Sequence, residues 1–418
     1  VRRHFTVLGA GTVGVCCALY LQRAGHKVTL IDRLPPARGC SYGNGGLIQT
    51  GAVVPIATPG VLRKVPRMLL DPDQPLVIRW RYLPSLAPYL ARFVGAARPG
   101  RVEEISTALA GLLSLASDSY KTLLADAGAA GMIRQSGELY VYESEAAYRA
   151  AQPGHELRRR RGIRVEEIAP GELRQLEPAL APGFRRAVFL PDSWKTIDPY
   201  LVTARLAEHF AAGGGEIVQE EVIDIAVAPE GPTEIVTDRG RRRLDQLVVA
   251  AGAYSKRWAA RLGSRVPLDT ERGYHLTLPT PGIQLRVPVI SGDYRFALVP
   301  LAGGIRLAGT AELARVDAAP NYRRAERLLQ LGRRVLPGLD GAGRQAWMGH
   351  RPSTPDSLPV IGRSPRFRSA WFAFGHGHLG LTLGAATGRV LADLAAGRAP
   401  PIDLAPFRVD RFRMLGRA

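Results

Sequence analysis

The sequence predicts an α/β domain with a doubly wound parallel sheet, joined to an α+β domain built on an antiparallel sheet. Three observations carry that expectation. The chain opens with strand, glycine turn, helix and a second strand ending in an acid. Helix and buried-strand patterns return after residue 198 and again after residue 370. Alternating strand patterns dominate much of what lies between.

The opening unit runs Phe5-Thr6-Val7-Leu8-Gly9-Ala10-Gly11-Thr12-Val13-Gly14, with Gly25, a second apolar run and Asp32 behind it. Gly9 permits a tight turn, Gly11 lets backbone approach a pyrophosphate, and Gly14 lets the helix pack closely on the sheet. Thr12 and Val13 stand at the helix N-terminus, where N–H groups and the dipole favour phosphate. Apolar positions Val13, Cys17, Tyr20, Leu21 and Ala24 recur at helical spacing, and Gly25 suits a C-cap. Lys27–Ile31 then delivers Asp32 to a ribose hydroxyl, with Arg33 beside it. A bound dinucleotide is the expectation.

Composition narrows the class. The 418 residues are 46% hydrophobic and 22% charged, which suits a globular chain of two domains and excludes disorder. Cys16 and Cys17 fall inside the first helix and only Cys40 remains, so neither a disulfide framework nor a metal site is expected. With the core strand starting at once and no apolar run of about eighteen residues, the reading expects a cytoplasmic protein. A net charge of +19, with runs at Arg158–Arg161 and Arg241–Arg243, leaves open a peripheral contact with the inner face of the cell membrane. Solvated surface charge is the plainer account. No zinc-ligand or aromatic-basic signature supports nucleic acid.

The remaining elements follow in order. Proline-rich Val53–Pro75 interrupts the pattern, and Leu76–Ala97 mixes leucines, aromatics and arginines, reading either as a buried helix edge or as a loop over the site or on a membrane. Glu103–Ala127 has helical periodicity, and Gly137–Tyr142 alternates like a strand. Asp198-Pro199 places an N-cap and a first-turn proline on a helix reaching about Gly213. Glu216–Val218, Val222–Val227 and Thr233–Thr237 read as a strand and a meander, and Leu247–Gly252 as a buried strand. His275–Leu278, Phe296–Pro300 and Ile305–Gly309 alternate. Strand Ala370–Phe374, the turn Gly375–Gly380 and a helix from Leu381 to about Ala396 close the pattern, with Gly384, Ala385 and Gly388 suited to close helix packing. Residues 1–86, 165–264 and 341–418 are thus assigned to the nucleotide domain, and 87–164 and 265–340 to a substrate domain.

Two glycine loops select the dinucleotide. Ser41-Tyr42-Gly43-Asn44-Gly45-Gly46 offers donors where an extended cofactor passes, and Gly375–Gly380 aims N–H groups at the pyrimidine edge of a flavin. These segments, with Val249–Ser255, Gly349-His350-Arg351-Pro352-Ser353-Thr354-Pro355-Asp356-Ser357-Leu358-Pro359-Val360-Ile361-Gly362 and the opening unit, resemble the D-amino-acid oxidase superfamily over nearly the full length. Bacterial D-amino-acid dehydrogenases are the most similar. The resemblance implies a glutathione-reductase-like Rossmann FAD-binding domain, and FAD held by Gly9, Gly11, Thr12, Val13, Gly14, Asp32 and Arg33. It adds Ser41, Asn44, Gly45, Gly46, Val222, Ala251 and Gly252, then Gly375, His376, Gly377, Leu379, Gly380 and Thr382. No cysteine stands in the late turns, so a thioether-linked flavin is not expected.

It also implies oxidation of D-amino acids to 2-oxo acids and ammonia by hydride transfer to flavin N5, with electrons passed to a quinone or another carrier. Arg351 becomes the clamp for the substrate carboxylate, unless it pairs internally with Asp356. Tyr294 is a second donor or a packed seam residue. Arg272, Tyr274 and His378 are substrate-facing candidates, with packing roles open for Arg272 and Tyr274. Positioning, not a dedicated protein base, carries the expected chemistry. Trp194–Asp198 and His378 depart from the dehydrogenase pattern and keep open an oxidase or dehydrogenase of glycine, sarcosine, D-proline or an N-carboxymethyl amine. A flavoprotein acting on transfer RNA is a remote third reading.

Overall fold

The computed structural model describes residues 2–59 and 76–412 of the chain, so most of the irregular Val53–Pro75 stretch lies outside the described residues. Six strands form the first sheet, in the order Glu216–Gln219, Lys27–Asp32, His4–Leu8, Gln246–Val249, Ala370–Phe374 and Val360–Arg363. The first five run parallel and the last antiparallel. Coverage of both faces makes the central strands read as unbroken apolar runs.

Helix Thr12–Arg23 lies beside Pro199–Ala212 and Gly380–Ala395 on one face of that sheet. A Cβ on Gly388 would stand 2.5 Å from the Cys16 carbonyl oxygen, so the small-residue spacing does set a close helix crossing. Asp198 caps its helix as expected, accepting the Tyr200 and Leu201 N–H groups at 2.8 and 3.1 Å. Val222–Ala228, Gly231–Thr237 and Gly240–Arg243 form the expected antiparallel meander. Helix Leu83–Ala96 buries Leu86 and Tyr89 against Ile78 and Leu313, which is the buried-edge reading.

The second sheet has nine strands. Along its main path run Gln345–Ser353, Asp269–Leu278, Gly304–Leu313, Phe296–Leu301, Val289–Ser291, Glu138–Tyr142, Arg186–Leu190 and Glu166–Ile168, and Leu76–Ile78 adds to Gly304–Leu313. Pairing is antiparallel apart from two parallel contacts. Tyr274, Leu276, Phe296, Leu298 and Leu307 face one way, into a core with helix Arg323–Val335. The opposite face meets the first domain, where His275 contacts the Gly43 carbonyl and Arg306 donates to the Asn44 carbonyl at 2.7 Å.

Several segments lie on the other side of the division from the one expected. Glu166–Ile168, Arg186–Leu190 and Gln345–Ser353 are strands of the second sheet. Helices Pro99–Leu113 and Ala116–Asp126, expected in the substrate domain, pack on Gly380–Ala395 of the first. A short alternating strand carries no mark of which sheet it joins, because pairing partners are chosen by tertiary register.

Candidate active site

A cavity of about 1390 Å³ lies between the two sheets, larger than a site for one small ligand. One end is bordered by the Gly9–Val13 turn, Asp32 and Arg33. Here Gly9 has φ +113°, and a Cβ on it would approach the Ala250 carbonyl oxygen to 2.5 Å. A Cβ on Gly14 would fall 1.8 Å from the Gly9 carbonyl oxygen. Both glycines are therefore demanded by the turn itself. Asp32 accepts the Ala10 and Leu34 N–H groups at 2.8 and 3.0 Å, which fixes its carboxylate at the strand end with acceptor capacity to spare. Val222, Ala251 and Gly252 complete this end.

Ser41, Asn44 and Gly45 border the middle, and the Ser41 hydroxyl accepts the Thr12 N–H at 2.9 Å, tying the loop to the helix N-terminus. Gly46 and Thr382 do not border the cavity. Gly46 has φ +82°, and its carbonyl accepts the Thr196 N–H at 2.8 Å. Thr382 accepts the Gln49 N–H at 3.1 Å and donates to the Leu47 carbonyl, so it anchors the loop to helix Gly380–Ala395. Gly14, Gly375 and Leu379 likewise shape the turns from behind.

At the far end stand His376, Gly377, His378 and Gly380, then Trp347 and Arg351. His376 is buried with its ring on the Thr387 hydroxyl at 2.9 Å, so it braces the turn. Burial pulls its pKa down to about 3. The His378 ring is open to the cavity yet enclosed by protein. Desolvation first, and the Arg351 charge second, lower its pKa to about 4.

Arg351 sits on strand Gln345–Ser353, directly across from Glu271. Its guanidinium lies over Gly273, where a Cβ would come within 2.4 Å of Cζ. Asp356, the alternative partner, is instead paired with Arg411 at 2.9 Å. Among the described residues no carboxylate reaches Arg351. Burial raises the pKa of Glu271, which weakens any neutralisation from across the strand.

Of the three other candidates, Arg272 and Tyr294 do not border the cavity and Tyr274 touches its wall from the core side. Arg272 is 0% exposed and ion-paired with Glu312 at 3.1 Å. The Tyr274 hydroxyl donates to the same Glu312 at 2.8 Å and accepts the Asn321 N–H, although the residue touches the cavity wall. Side chains alternate across a strand, so Gly273 and His275 face the cavity and Arg272 and Tyr274 face the core behind it. Tyr294 donates to Glu143 at 2.5 Å and packs against that same core, outside the cavity. Trp347 was missed. It stacks on His275 at 5.0 Å between ring centroids, and counting back in twos from Arg351 would have found it.

An elongated cleft with a helix N-terminus and a ribose-height acid at one end, and a second helix N-terminus at the other, fits FAD. Comparison with known proteins agrees. Residues 4–394 match the DAO family, described as FAD dependent oxidoreductase. The chain belongs to that family. Among its relatives, a D-amino-acid oxidase of Bradyrhizobium diazoefficiens is 37% identical over 417 residues, covering 98% of this chain and 99% of its own. A D-amino acid dehydrogenase of Paramagnetospirillum magneticum is 35% identical, with 97% and 98% covered. In fold, this DAO-family chain resembles glycine oxidase from Geobacillus kaustophilus, at TM-score 0.75, 23% identity and full coverage of both chains. L-proline dehydrogenase from P. horikoshii gives TM-score 0.75 at 19% identity, covering 98% of each. No helix among the described residues is long and apolar enough to cross a membrane.

Proposed function

We propose that the protein oxidises D-amino acids to 2-oxo acids and ammonia. The observation that carries this is the Arg351 guanidinium, held over Gly273 beside the cavity and lacking a carboxylate partner among the described residues. A planar fork of donors suits bidentate capture of an α-carboxylate. Relatives at 35–37% identity named for D-amino-acid oxidation support the same reading.

Gly9, Gly11, Asp32, Ser41, Asn44 and Gly377 are among the residues that would hold FAD, whose chemistry when bound is two-electron oxidation of the substrate's carbon–nitrogen bond. Arg351 fixes the substrate by its carboxylate. His378 borders the cavity at the same end as Arg351 and is a candidate for contact with the substrate. The Gly380–Ala395 helix points its N-terminus toward the cavity and favours negative charge there. Water hydrolyses the imino acid product. A non-covalent flavin is part of the proposal, because no cysteine stands in the Gly349–Gly362 or Gly375–Gly380 segments at the substrate end. Electrons pass to a quinone or another carrier, and a basic surface of net charge +19 suits contact with an anionic membrane.

Anaerobic bleaching of the flavin near 450 nm tests the reading. D-amino acids are expected to bleach it, L-amino acids not; bleaching by sarcosine or D-proline alone would replace it with secondary-amine oxidation. Readmitted air should then restore the colour slowly and a soluble quinone with anionic vesicles quickly, while acid precipitation should release the flavin. Fast reoxidation by air would make the protein an oxidase.

A further inference from the structure

We infer that the substrate carries a second carboxylate on its side chain and that Arg295 receives it, an inference that rests on the D-amino-acid reading. Arg295 borders the same cavity as Arg351. The other cavity-lining arginines are engaged. Arg33 and Arg38 lie over the Tyr254 and Tyr200 rings, Arg160 pairs with Glu103, and Arg158 and Arg257 donate to backbone carbonyls. Arg295 is exposed to solvent and, among the described residues, has neither carboxylate nor aromatic face.

Among the described residues no nearby acid is ion-paired with it. Asp293, two residues away, accepts the Glu143 and Ser144 N–H groups and the Ser144 hydroxyl at 2.6–3.1 Å. Glu103 and Glu220 are held by Arg161 and Arg242. The two phosphates of a bound FAD belong at the opposite, Gly9–Val13 end. After Arg351 takes the α-carboxylate, Arg295 still stands on the cavity wall with no carboxylate among the described residues.

Backbone conformation gives an independent argument. Arg295 closes the hairpin between Val289–Ser291 and Phe296–Leu301, donates its N–H to the Ser291 carbonyl at 2.8 Å, and has φ +57°. Glycine or asparagine fills that conformation at less cost. Turn chemistry therefore does not account for arginine here, and strain of this kind gathers at binding sites.

Strand register sets the reach. Phe296 lies opposite Gly309, Gly309 opposite Tyr274, and Tyr274 opposite Met348, three residues before Arg351. Arg295 precedes Phe296 on a strand running opposite to that of Arg351, so three strand spacings and two residues along a strand put the two arginine backbones about 16 Å apart. Each side chain spans about 6 Å from its Cα to its guanidinium carbon. With the side chains standing off the sheet, the guanidinium carbons can lie about 12 Å apart, room for a four- or five-carbon amino diacid with a bidentate pair at each end. Ala297 and Ala308 border the cavity between them and keep side chains there short.

The test uses the holoenzyme, comparing D-glutamate and D-aspartate with D-methionine. Calorimetric binding of glutarate against butyrate supplies a readout that needs no turnover. The diacids are expected to be preferred by about 10-fold or more in kcat/KM, and R295N, which suits the positive φ, to lower the D-glutamate to D-methionine ratio by about 30-fold. R295N should weaken glutarate about 10-fold or more, and R295K should recover part of both effects. A ratio unchanged in R295N, or a wild type that oxidises neutral D-amino acids and ignores diacids, overturns the inference and leaves the D-amino-acid reading standing. If no D-amino acid bleaches the flavin, that reading falls, and glutarate binding still decides what Arg295 does.

Discussion

Among the described residues no salt bridge or hydrogen bond engages Arg351, whose charge acts on Glu271 across the strand, whereas Arg272, Arg411 and Arg242 are each locked to a carboxylate. An unpaired guanidinium at a cavity wall is costly to keep unless something arrives to fill it. Arg351→Lys should lower kcat/KM for D-amino acids by about 10²-fold, mainly through KM, because a point charge replaces a bidentate fork. Steady-state kinetics with a dye acceptor checks this, and an unchanged KM would remove Arg351 from the clamp. The same residue was legible in the sequence because its surroundings, Gly349–Gly362, form a recognisable block. Arg272 and Tyr274 were not. They were candidates because the resemblance places substrate-facing residues there, whereas in this chain the strand turns both to the face behind the cavity.

Strand Asp269–Leu278 illustrates what an element contributes. Its cavity face carries Glu271, Gly273 and His275, and the glycine is where the Arg351 guanidinium lies. A Gly273→Ala methyl would meet only the far end of a flexible side chain, so the fold should survive while the clamp is displaced. The expected result is a rise in KM of about 10-fold or more, with flavin content and thermal midpoint close to wild type. Loss of flavin in this variant would show instead that Gly273 serves the fold. By contrast, a Cβ on Gly14 would strike backbone at 1.8 Å, and Gly14→Ala should cost the FAD end its shape. Glycines at the first turn could be read from spacing alone; Gly273 could not, because its constraint comes from another strand.

Across the whole molecule, burial holds several imidazoles neutral. His275 and His376 are drawn down to about 3, and His155 and His350 to about 4, with desolvation the leading cause in each. In the unfolded chain such rings protonate near pH 6.5, so the fold binds fewer protons between that pH and about 4. Stability from these groups is complete above about pH 6.5 and lost as pH falls. Glu138 and Glu271, raised by burial, act in the opposite sense above about pH 4.5, but they are fewer. Urea midpoints should therefore climb from pH 4.5 to 7, and His376→Gln should flatten the climb. A midpoint independent of pH would mean that these rings are hydrated in solution.

The sequence by itself determined the dinucleotide turn, the acid at Asp32, the cap at Asp198, the turn at Gly375–Gly380, and the pairing of an α/β domain with a largely antiparallel one. Those features rest on local rules, since turn geometry, capping and hydrophobic period act within a few residues. Only the tertiary structure decided which sheet received Glu166–Ile168, Arg186–Leu190 and Gln345–Ser353, which face of Asp269–Leu278 met the cavity, and which arginines were left unpaired. Such outcomes depend on contacts between residues far apart in the chain. Register and charge pairing across strands are settled only when the sheets assemble.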